Sequence, residues 1–405
     1  MDFTFITAEY NPFHNGHKRQ IEILKQQYPH TDIIIIMSGN FVQRGEPAVF
    51  DKYTRTRAAL LNGADMVIEL PVLYACSSAA YFASGAVRII SAARIGKRLC
   101  FGSESGNLDD LKNIADLLTN EPKDYKYSIS QALLKGLSYP AARKEAVNSL
   151  KQGTAHLLDM PNNILGIEYL KAINKYCPDL ECFTVKREGE DYHSKAINSL
   201  SSATAIREAL LKGEFDLIKS SVPENLADIY GACLKTNSIA SYNNLSSIFH
   251  YIVNTLSKEE LKNILDITEG LENLLIKAIG EYFLISDIIP YLKSKRYTYT
   301  KLSRMVAHVL LNIRKSDMDY FENLGGPQYI RVLGFKKDKS YILNELSNKS
   351  SLPLINNLKN AEKALSTDGL RMLDMEMGAA NMYAIALNKP SEKYQEYRRS
   401  LIMLD

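Results

Sequence analysis

Residues 3–17 read Phe3-Thr4-Phe5-Ile6-Thr7-Ala8-Glu9-Tyr10-Asn11-Pro12-Phe13-His14-Asn15-Gly16-His17. The apolar run at their start predicts a β-strand, and the spacing of Ile21 and Leu24 beyond them predicts a helix. A helix N-terminus offers free backbone N–H groups and the positive end of the helix dipole, and Gly16 lets a ligand come close to the backbone. The stretch therefore predicts a nucleotide phosphate site between the first strand and the first helix.

The two histidines of this stretch are the candidate catalytic residues. His14 and His17 both fall on the first turn of the predicted helix. Their imidazoles can donate hydrogen bonds to oxygens that gain charge as a phosphoanhydride breaks. The alternative is a pair of surface histidines at a helix start. The preceding strand, Gly16 and the position near the chain start favour the phosphate site.

The first 220 or so residues alternate between strand and helix patterns. Further strands are expected at 32–37, 66–70, 97–103 and 180–185, and helices at 52–62 and 79–93. The β-branched run at 32–37 shows no alternation, which is typical of a strand covered on both faces in a parallel sheet. Residues 107–178 are largely helical and too long for one crossover, so we interpret them as an insertion. The pattern predicts an α/β fold with a Rossmann-like parallel sheet.

The second half has a different character. Helix patterns dominate from about residue 225, for example at 261–279 and 302–313, and strand patterns nearly vanish. We place a domain boundary near Pro223, which gives an α/β domain at 1–222 and a helical domain at 223–405. No low-complexity linker separates the halves, so we expect them to pack together.

A second motif supports the first. Ser201-Ser202-Ala203-Thr204-Ala205-Ile206-Arg207 falls at a helix start after the fifth predicted strand. Serine caps helix N-termini, and an arginine can bind two phosphate oxygens at once. Taken alone, this motif is more often a helix cap with a solvated arginine. Its pairing with the histidine motif, at the other end of the same predicted domain, makes Arg207 a candidate catalytic residue.

Composition sets modest bounds. The 405 residues carry a net charge of +3, which does not by itself indicate a nucleic-acid partner. The five cysteines are scattered and lack the paired spacing of a zinc site, so reduced thiols are expected. Asp2 stands where a signal peptide would be basic, and no apolar run reaches membrane-spanning length. We expect a cytoplasmic protein without a membrane or a stable protein partner.

The paired motifs resemble those of the nucleotidyltransferase superfamily, whose members adenylylate a substrate with ATP. Further stretches make the chain similar to the tRNA(Met) cytidine acetate ligase family, and they lie at 9–17, 37–48, 101–104, 161–166 and 329–335. The resemblance runs from residue 3 to about 340 in one order, whereas the last 60 or so residues match weakly.

The resemblance implies a two-step reaction. ATP and acetate would form acetyl-adenylate, and the acetyl group would pass to N4 of the wobble cytidine of elongator tRNA(Met). The implied ATP contacts are Thr7, Ala8, Glu9, Tyr10, Asn11, Pro12, Phe13, His14, Asn15, Gly16, His17, Lys18, Arg19, Gln20, Gly102, Asn162, Arg187 and Ser202. One position departs from the family pattern: Glu188 follows Arg187 where the family often has an apolar residue.

Other charged residues have less certain roles. Lys52, Arg55 and Arg57 follow the second predicted strand and are candidates to hold acetate, pyrophosphate or tRNA. An ordinary basic helix start is an equally good interpretation, although cations are disfavoured there. Mg²⁺ is expected with the ATP. Glu104 and Asp109 are candidate ligands, but simple helix capping is the favoured role of both.

Charge placement adds support for an RNA partner. Residues 291–340 hold eleven Lys or Arg against four Asp or Glu, a local charge of +7. Cations can track phosphates, and aromatic rings can stack on bases. The predicted RNA-binding residues are Lys293, Lys295, Arg296, Arg304 and Arg331, and the interleaved aromatics are Tyr297, Tyr299, Tyr329 and Phe335. The alternative is a solvated helix with core aromatics.

Two other functions remain open at this point. A small-molecule adenylyltransferase explains both phosphate motifs but gives the basic window no role. A non-catalytic RNA-binding factor explains the basic window, but it has no need of both histidines and Arg207.

Overall fold

The computed structural model describes residues 1–137, 139–151, 153–187, 202–268, 270–294 and 296–405. Ser201, Glu188 and Lys295, which the sequence singles out, lie outside the described residues. No helix within these ranges is both long enough and apolar enough to cross a membrane.

A mostly parallel sheet forms the centre of the molecule. Its strands are Phe3–Ala8 (β1), Asp32–Ser38 (β2), Met66–Leu70 (β3), Arg98–Ser103 (β4), Glu181–Lys186 (β5), Ile330–Lys336 (β6), Leu354–Ile355 (β7) and Ile402–Leu404 (β8). Their order is β5-β4-β1-β2-β3-β6-β7, and β8 pairs with β6. Strands β1 to β5 are mutually parallel, whereas β6 runs antiparallel to β3. The predicted Rossmann-like sheet is confirmed.

Helices surround the sheet and form most of the remaining regular structure of the described chain. Those of the first half are Asn15–Gln27 (α1), Lys52–Leu61 (α2), Val72–Ala75 (α3), Ala79–Ala93 (α4), Leu108–Asn120 (α5), Lys123–Leu134 (α6), Tyr139–Leu150 (α7), Pro161–Tyr176 (α8), Ala203–Leu211 (α9) and Phe215–Ile218 (α10). Those of the second half are Glu224–Lys235 (α11), Ser246–Thr255 (α12), Lys258–Asn263 (α13), Leu271–Glu281 (α14), Ile285–Leu292 (α15), Tyr299–Leu311 (α16), Lys315–Asn323 (α17), Tyr341–Lys349 (α18), Ala361–Ala364 (α19) and Thr367–Ala386 (α20).

Alternating side chains of β2 explain why the sheet is covered on both faces. Ile34 and Ile36 join an apolar cluster with residues of α4 and α8. Ile33 and Ile35 join another cluster, with residues of α1, α2 and α9. Side chains of a strand point to opposite faces in turn, so an unbroken isoleucine run must be buried on both sides. This burial fixes the carboxyl ends of the parallel strands at one edge, where α1 begins.

The chain after Pro223 contains strands as well as the predicted helices. Its helices α12 to α16 pack around a separate apolar cluster that includes Phe249 and Leu302. Strands β6 to β8, however, return to the central sheet, whereas the sequence predicts almost no strands after residue 225. In β6, Arg331 lies opposite Glu69 of β3 and Phe335 lies opposite Met66. The boundary near Pro223 stays a prediction, and the C-terminal strands tie the second half to the sheet.

One predicted helix is two. The pattern at 261–279 predicts a continuous helix, but the structure has α13 and α14 with a turn between them. Asp266 and Gly270 in this turn have φ angles of +66° and +83°. A left-handed backbone does not continue an α-helix, and it frees the Asp266 carboxylate to pair with Arg304.

Candidate functional site

The histidine motif forms the N-terminus of α1. His14 is the N-cap, and its Nδ1 accepts a hydrogen bond of 3.0 Å from the Gly16 backbone N–H. The His14 backbone N–H in turn donates to Nδ1 of His17 over 3.3 Å. The Asn11–Pro12 peptide bond before the motif is cis. These reciprocal bonds fix both imidazole rings at the carboxyl edge of β1.

The same hydrogen bonds fix the tautomers of both rings. A ring nitrogen that accepts a hydrogen bond carries no proton, so the neutral form of each histidine has its proton on Nε2. Burial, with Arg187 and Arg207 nearby, lowers the pKa of His14 to about 3. Burial, with His14 and Arg187 nearby, lowers the pKa of His17 well below its usual range. Both rings are therefore neutral near pH 7 and offer an Nε2–H donor.

His14 Nε2 is buried and has no hydrogen-bond partner among the described residues. A buried polar atom without a partner is costly, and a ligand is one way to satisfy it. The two imidazole centroids lie 3.8 Å apart, and Tyr10 and Phe13 pack against His17 at 4.8 and 5.5 Å. The rings are held together by this packing, so their Nε2 atoms act as one pair of donors.

Arg207 reaches the histidine motif from α9. Its Nη1 donates to the Asn11 carbonyl oxygen over 2.8 Å, and Nη2 contacts the Thr204 hydroxyl at 3.3 Å. Glu46 forms an ion pair with Nη2 at 3.0 Å. Ser202 caps α9 by accepting a hydrogen bond from the Ala205 N–H. The two motifs paired on sequence thus meet at one edge of the sheet.

The other predicted nucleotide contacts after the first helix also lie around this edge. The Arg187 backbone N–H donates to the Ser103 carbonyl oxygen over 2.8 Å, continuing the pairing of β5 with β4. A Cβ added to Gly102 would lie 3.3 Å from Cγ of Arg187, so the arginine stem packs over the glycine. Asn162 lies at the start of α8, where its backbone and side-chain nitrogens contact Glu104 at 3.1 and 2.6 Å.

Residues of the β1–α1 segment differ in their burial and in their hydrogen-bond partners. Thr7 Oγ1 is buried without a hydrogen-bond partner among the described residues. Asn15 donates to the Ser220 carbonyl oxygen over 2.9 Å. Gln20 contacts Cys100 Sγ at 3.8 Å, and Lys18 pairs with Glu22 on the exposed face of α1 at 3.9 Å. Thr7 Oγ1 therefore lies in the interior of the protein, whereas Lys18 faces solvent.

The turn at 41–48 adds residues for which the sequence assigned no role. Arg44 Nη1 donates to the Thr204 hydroxyl over 3.1 Å, and Arg44 Nε lies 3.9 Å from Glu9. Glu46 contacts both Arg207 and the Asn11 side chain. The sequence signal for this turn was its likeness to the family, which named no individual residue. Two carboxylates and two guanidinium groups thus line the rim of the site.

Lys52 and Arg55 are corrections to the sequence analysis. Both are fully buried and bound by partners inside the protein, so they have structural roles in place of contacts to acetate, pyrophosphate or tRNA, and neither is an ordinary solvated helix start. Arg55 donates to the carbonyl oxygens of Glu9, Ser38 and Gly39. These hydrogen bonds hold the ends of β1 and β2 in place. Arg57, on the same helix, is exposed.

Lys52 belongs to a buried charge cluster. It contacts Glu69 at 2.7 Å, Glu396 at 2.9 Å and Glu376 at 3.7 Å. Arg331, the other cation of the cluster, contacts Glu69 at 2.8 Å and Glu396 at 2.6 Å. The charge cluster thus links strands β3 and β6 with helix α20.

The RNA-binding prediction for Arg331 and Arg304 is wrong. Arg331 is buried in the charge cluster, and Arg304 is buried with its Nε 3.1 Å from Asp266. Tyr329 and Phe335 are core residues, and Tyr297 is nearly buried. These side chains are buried inside the protein, so none is available to a nucleic acid. Lys293 and Arg296, by contrast, are exposed.

Glu104 caps α8. Its carboxylate accepts hydrogen bonds from the backbone N–H groups of Asn162 and Asn163 at 3.1 and 2.8 Å, and from the Asn162 side chain. Carboxylates are favoured at helix N-termini. Within the described ranges, no group of three or more His, Cys, Asp or Glu has the arrangement of a metal site.

Comparison with known proteins adds family membership to this geometry. A profile of the family described as HIGH Nucleotidyl Transferase matches residues 1–398. The tRNA(Met) cytidine acetate ligase of Caldanaerobacter subterraneus subsp. tengcongensis is 39% identical over 394 residues, which cover 95% of this chain and 96% of the relative. The ligase of the same name from Acetivibrio thermocellus is 35% identical over 413 residues, with 98% and 99% covered.

Solved structures agree with these relatives. The crystal structure of apo Thermotoga maritima TmcAL has a TM-score of 0.94 to this chain. The structure of the same protein bound with alpha-thio ATP has a TM-score of 0.91. Both are 29% identical to this chain and cover 100% of each chain. This chain therefore belongs to the HIGH nucleotidyl transferases and to the tRNA(Met) cytidine acetate ligase family.

Proposed function

We propose that this protein is an ATP-dependent ligase that activates acetate as acetyl-adenylate, releases pyrophosphate, and transfers the acetyl group to N4 of the wobble cytidine of elongator tRNA(Met). The observation that carries the proposal is the meeting of Arg207 with the paired Nε2–H donors of His14 and His17 at one sheet edge. Family membership and the ATP analogue bound in the Thermotoga maritima protein support it. We also propose a cytoplasmic location, since the proposed substrate is a tRNA.

The first step joins two anions, so positioning and positive potential matter more than a base. An acetate oxygen attacks the α-phosphorus of ATP, and the bond to pyrophosphate breaks. Acetate is already ionised near pH 7 and needs no deprotonation. His14 and His17 donate their Nε2–H groups to phosphate oxygens as these gain charge. Because both rings are neutral, the positive charge of the site comes from Arg187 and Arg207.

The remaining nucleotide contacts follow the sheet edge. We assign the phosphates to the first turn of α1, with Asn15 to Gln20 and the capped start of α9 at Ser202 on either side. The adenosine would lie across Gly102, Asn162 and Arg187, where the Gly102 backbone carries no Cβ. Thr7 to Phe13 form the floor of the site, at the end of β1.

We propose that Mg²⁺ would occupy this site bound to the triphosphate of ATP. Magnesium in nucleotide sites is usually bound through phosphate oxygens, waters and one or two carboxylates. Glu104 is occupied by its hydrogen bonds to α8, whereas Glu9 lies on the rim beside Arg44. When bound, the ion would neutralise charge on the phosphates. We propose Glu9 as its nearest protein ligand, in place of Glu104 and Asp109.

The helical second half is the proposed tRNA-binding part. Lys293, Lys295 and Arg296 follow α15, and the first and last of these are exposed in the structure. Exposed cations can contact backbone phosphates without reading sequence. Arg304 and Arg331 are removed from this set because their charges are paired in the interior.

The proposal is tested by incubating the protein with tRNA, ATP and labelled acetate. Label in the tRNA, with AMP and pyrophosphate released, is the expected result. Omission of tRNA should leave acetate-dependent ATP–pyrophosphate exchange intact, because the first step needs no RNA. Pyrophosphate release that does not depend on acetate would indicate a small-molecule adenylyltransferase instead. Binding of tRNA without any ATP chemistry would indicate a non-catalytic RNA-binding factor.

A further inference from the structure

The turn at 41–48 is held between the histidine site and the second half of the chain. Phe41 and Pro47 form an antiparallel bridge across the turn. The backbone N–H groups of Val42 and Gly45 donate to the carbonyl oxygens of Glu46 and Val42 at 3.1 and 2.8 Å. These bonds fix the backbone at Glu46, so the direction of its side chain is set by the fold.

The carboxylate of Glu46 lies beside the proposed phosphate-binding groups. The ion pair with Arg207, at 3.0 Å, and the contact with the Asn11 amide, at 3.4 Å, both involve Oε1. Oε2 carries neither of these contacts. The side chain is 27% exposed, so a substrate can reach it.

An exposed aromatic ring lies next to this turn. Ser303 of α16 donates to the Gly45 carbonyl oxygen over 2.7 Å, and a Cβ on Gly45 would lie 2.2 Å from the Arg304 backbone nitrogen. Tyr299 is one turn before Ser303 on the same face of α16 and is 48% exposed. Burial raises the pKa of its hydroxyl, and the nearby Glu46 adds to this.

We propose that Glu46 and Tyr299 form the subsite for the cytosine base that accepts the acetyl group. This inference rests on the proposed function and assigns its second step. The base stacks on the ring of Tyr299, and a Glu46 oxygen accepts a hydrogen bond from the N4 amine. Glutamate is a common partner of the cytosine N4 amine, and aromatic rings bind unstacked bases.

The transfer step needs a group that accepts a proton from N4, and a carboxylate can do this. N4 attacks the acetyl carbonyl carbon, and a C–N bond forms while the C–O bond to AMP breaks. N4 becomes strongly acidic once it bonds to the acetyl carbon, so a neighbouring carboxylate can take its proton. The proton passes from N4 to Glu46, and the electron pair of the broken bond leaves with the AMP phosphate. Arg207, paired with the same carboxylate, lies on the side of the leaving phosphate.

Glu46→Gln separates this role from a structural one. The glutamine oxygen can still accept from Arg207, so acetate-dependent ATP–pyrophosphate exchange should stay within a few-fold of wild type. Transfer from preformed acetyl-adenylate to tRNA, measured in a single turnover, should slow by roughly 10²–10⁴-fold. Glu259→Gln, on the exposed helix α13, is the matched control.

Tyr299 is tested by the same two assays. Tyr299→Ala should weaken tRNA use in the transfer step, since base–aromatic stacking contributes about 1–3 kcal/mol, or roughly 5–150-fold. Tyr299→Phe should keep most of the transfer rate, because the ring and not the hydroxyl binds the base. Tyr251→Ala removes another exposed ring, on α12, and should change neither assay.

Three outcomes would overturn the subsite while leaving the proposed function in place. The first is normal transfer by Glu46→Gln, and the second is equal loss of exchange and transfer, which would make Glu46 only a support for Arg207. The third is normal transfer by Tyr299→Ala. If wild-type protein itself shows no acetate-dependent exchange and no label in tRNA, the proposed function fails, and the subsite fails with it.

Discussion

The guanidinium of Arg207 donates a hydrogen bond of 2.8 Å to the main-chain carbonyl of Asn11, a residue 196 positions earlier. Asn11 precedes the histidine motif, and Arg207 follows the cap of α9, so this bond joins the two motifs of the site. The Asn11 side chain also contacts Glu46, the carboxylate partner of Arg207. Asn11, Glu46 and Arg207 thus form one hydrogen-bonded group at the rim of the site.

His17→Ala is expected to suppress acetyl-adenylate formation while the fold stays intact. The ring supplies one of two Nε2–H donors, and loss of one such donor costs on the order of 10²–10³ in rate. ATP–pyrophosphate exchange in the presence of acetate measures the effect. His30→Ala, at an exposed position beyond α1, is the control and should behave as wild type. Near-normal exchange by folded His17→Ala would remove the residue from the mechanism.

Arg207→Ala is expected to damage the ATP step much more than tRNA binding. Its Nη1 and Nη2 hold separate partners, so the planar fork and not merely the charge is used. Arg207→Lys should therefore rescue poorly. Exchange rates and tRNA affinity, measured on the same preparations, check this. A variant with normal exchange and lost tRNA binding would place Arg207 on the RNA surface.

Lys52→Met is expected to destabilise the whole protein. The variant leaves the carboxylates of Glu69 and Glu396 buried with only Arg331 as a cation. Loss of one partner from a buried charge network typically costs about 3–5 kcal/mol. The free energy of unfolding from a urea titration measures the loss. Lys277→Met, which removes an exposed lysine paired with Glu281, should leave the free energy of unfolding nearly unchanged. If Lys52→Met has the same free energy of unfolding as wild type, the charge cluster contributes little to stability.

Local patterns explain which parts of this fold the sequence could predict. Strand β3 and helix α4 have the predicted bounds, because an apolar run ended by Pro71 and a long periodic stretch are strong signals. Strand β6 was missed because Arg331 sits in a window rich in Lys and Arg. Its burial depends on Glu69 and Glu396, which only the folded chain brings near. Sequence spacing does not show which charges are paired in the interior.

The same limit applies to the site: local patterns predict some of its residues, whereas contacts made only in the folded chain place the others. His14 and His17 were predicted because a strand, a glycine and a helix start indicate a phosphate site locally, and Arg207 was predicted because a serine-capped helix start pairs with that motif. Glu46 and Arg44 lie in a turn without helix or strand periodicity. Their place at the rim comes from packing against α9 and α16, through Thr204 and Ser303. No local pattern reports such contacts.

Glu376→Gln is expected to change how stability depends on pH. Burial and the neighbouring Glu69 raise the pKa of Glu376 to about 8, whereas an unfolded glutamate titrates near about 4.3. Between these values the folded protein holds a proton that the unfolded chain has lost. This group therefore makes the protein less stable as pH rises through that window, by up to about 1.4 kcal/mol per pH unit.

Glutamine mimics the protonated side chain and can still accept from the Val72 N–H, as Glu376 does over 2.7 Å. The variant should gain stability relative to wild type as pH rises from 5 to about 8, and no further above that. Urea midpoints across this range measure the difference. Glu281→Gln, at the exposed end of α14, should run parallel to wild type. A Glu376→Gln difference that does not vary with pH would contradict the raised pKa.

Neutralising Lys293, Lys295 and Arg296 together is expected to separate the two half-reactions. The three cations follow α15, in the half of the chain that carries no phosphate motif. Each lost phosphate contact should lower the salt dependence of tRNA binding by roughly one unit in slope. Binding should weaken for all tRNAs alike, since phosphate contacts carry little sequence information. Exchange without tRNA should match wild type, because the histidine site lies at the sheet edge. Lys349→Ala, on α18, is a control cation paired with Glu345. If affinity and slope do not change, these cations do not contact tRNA, and exposed Arg57 on α2 becomes the next position to test for tRNA contact.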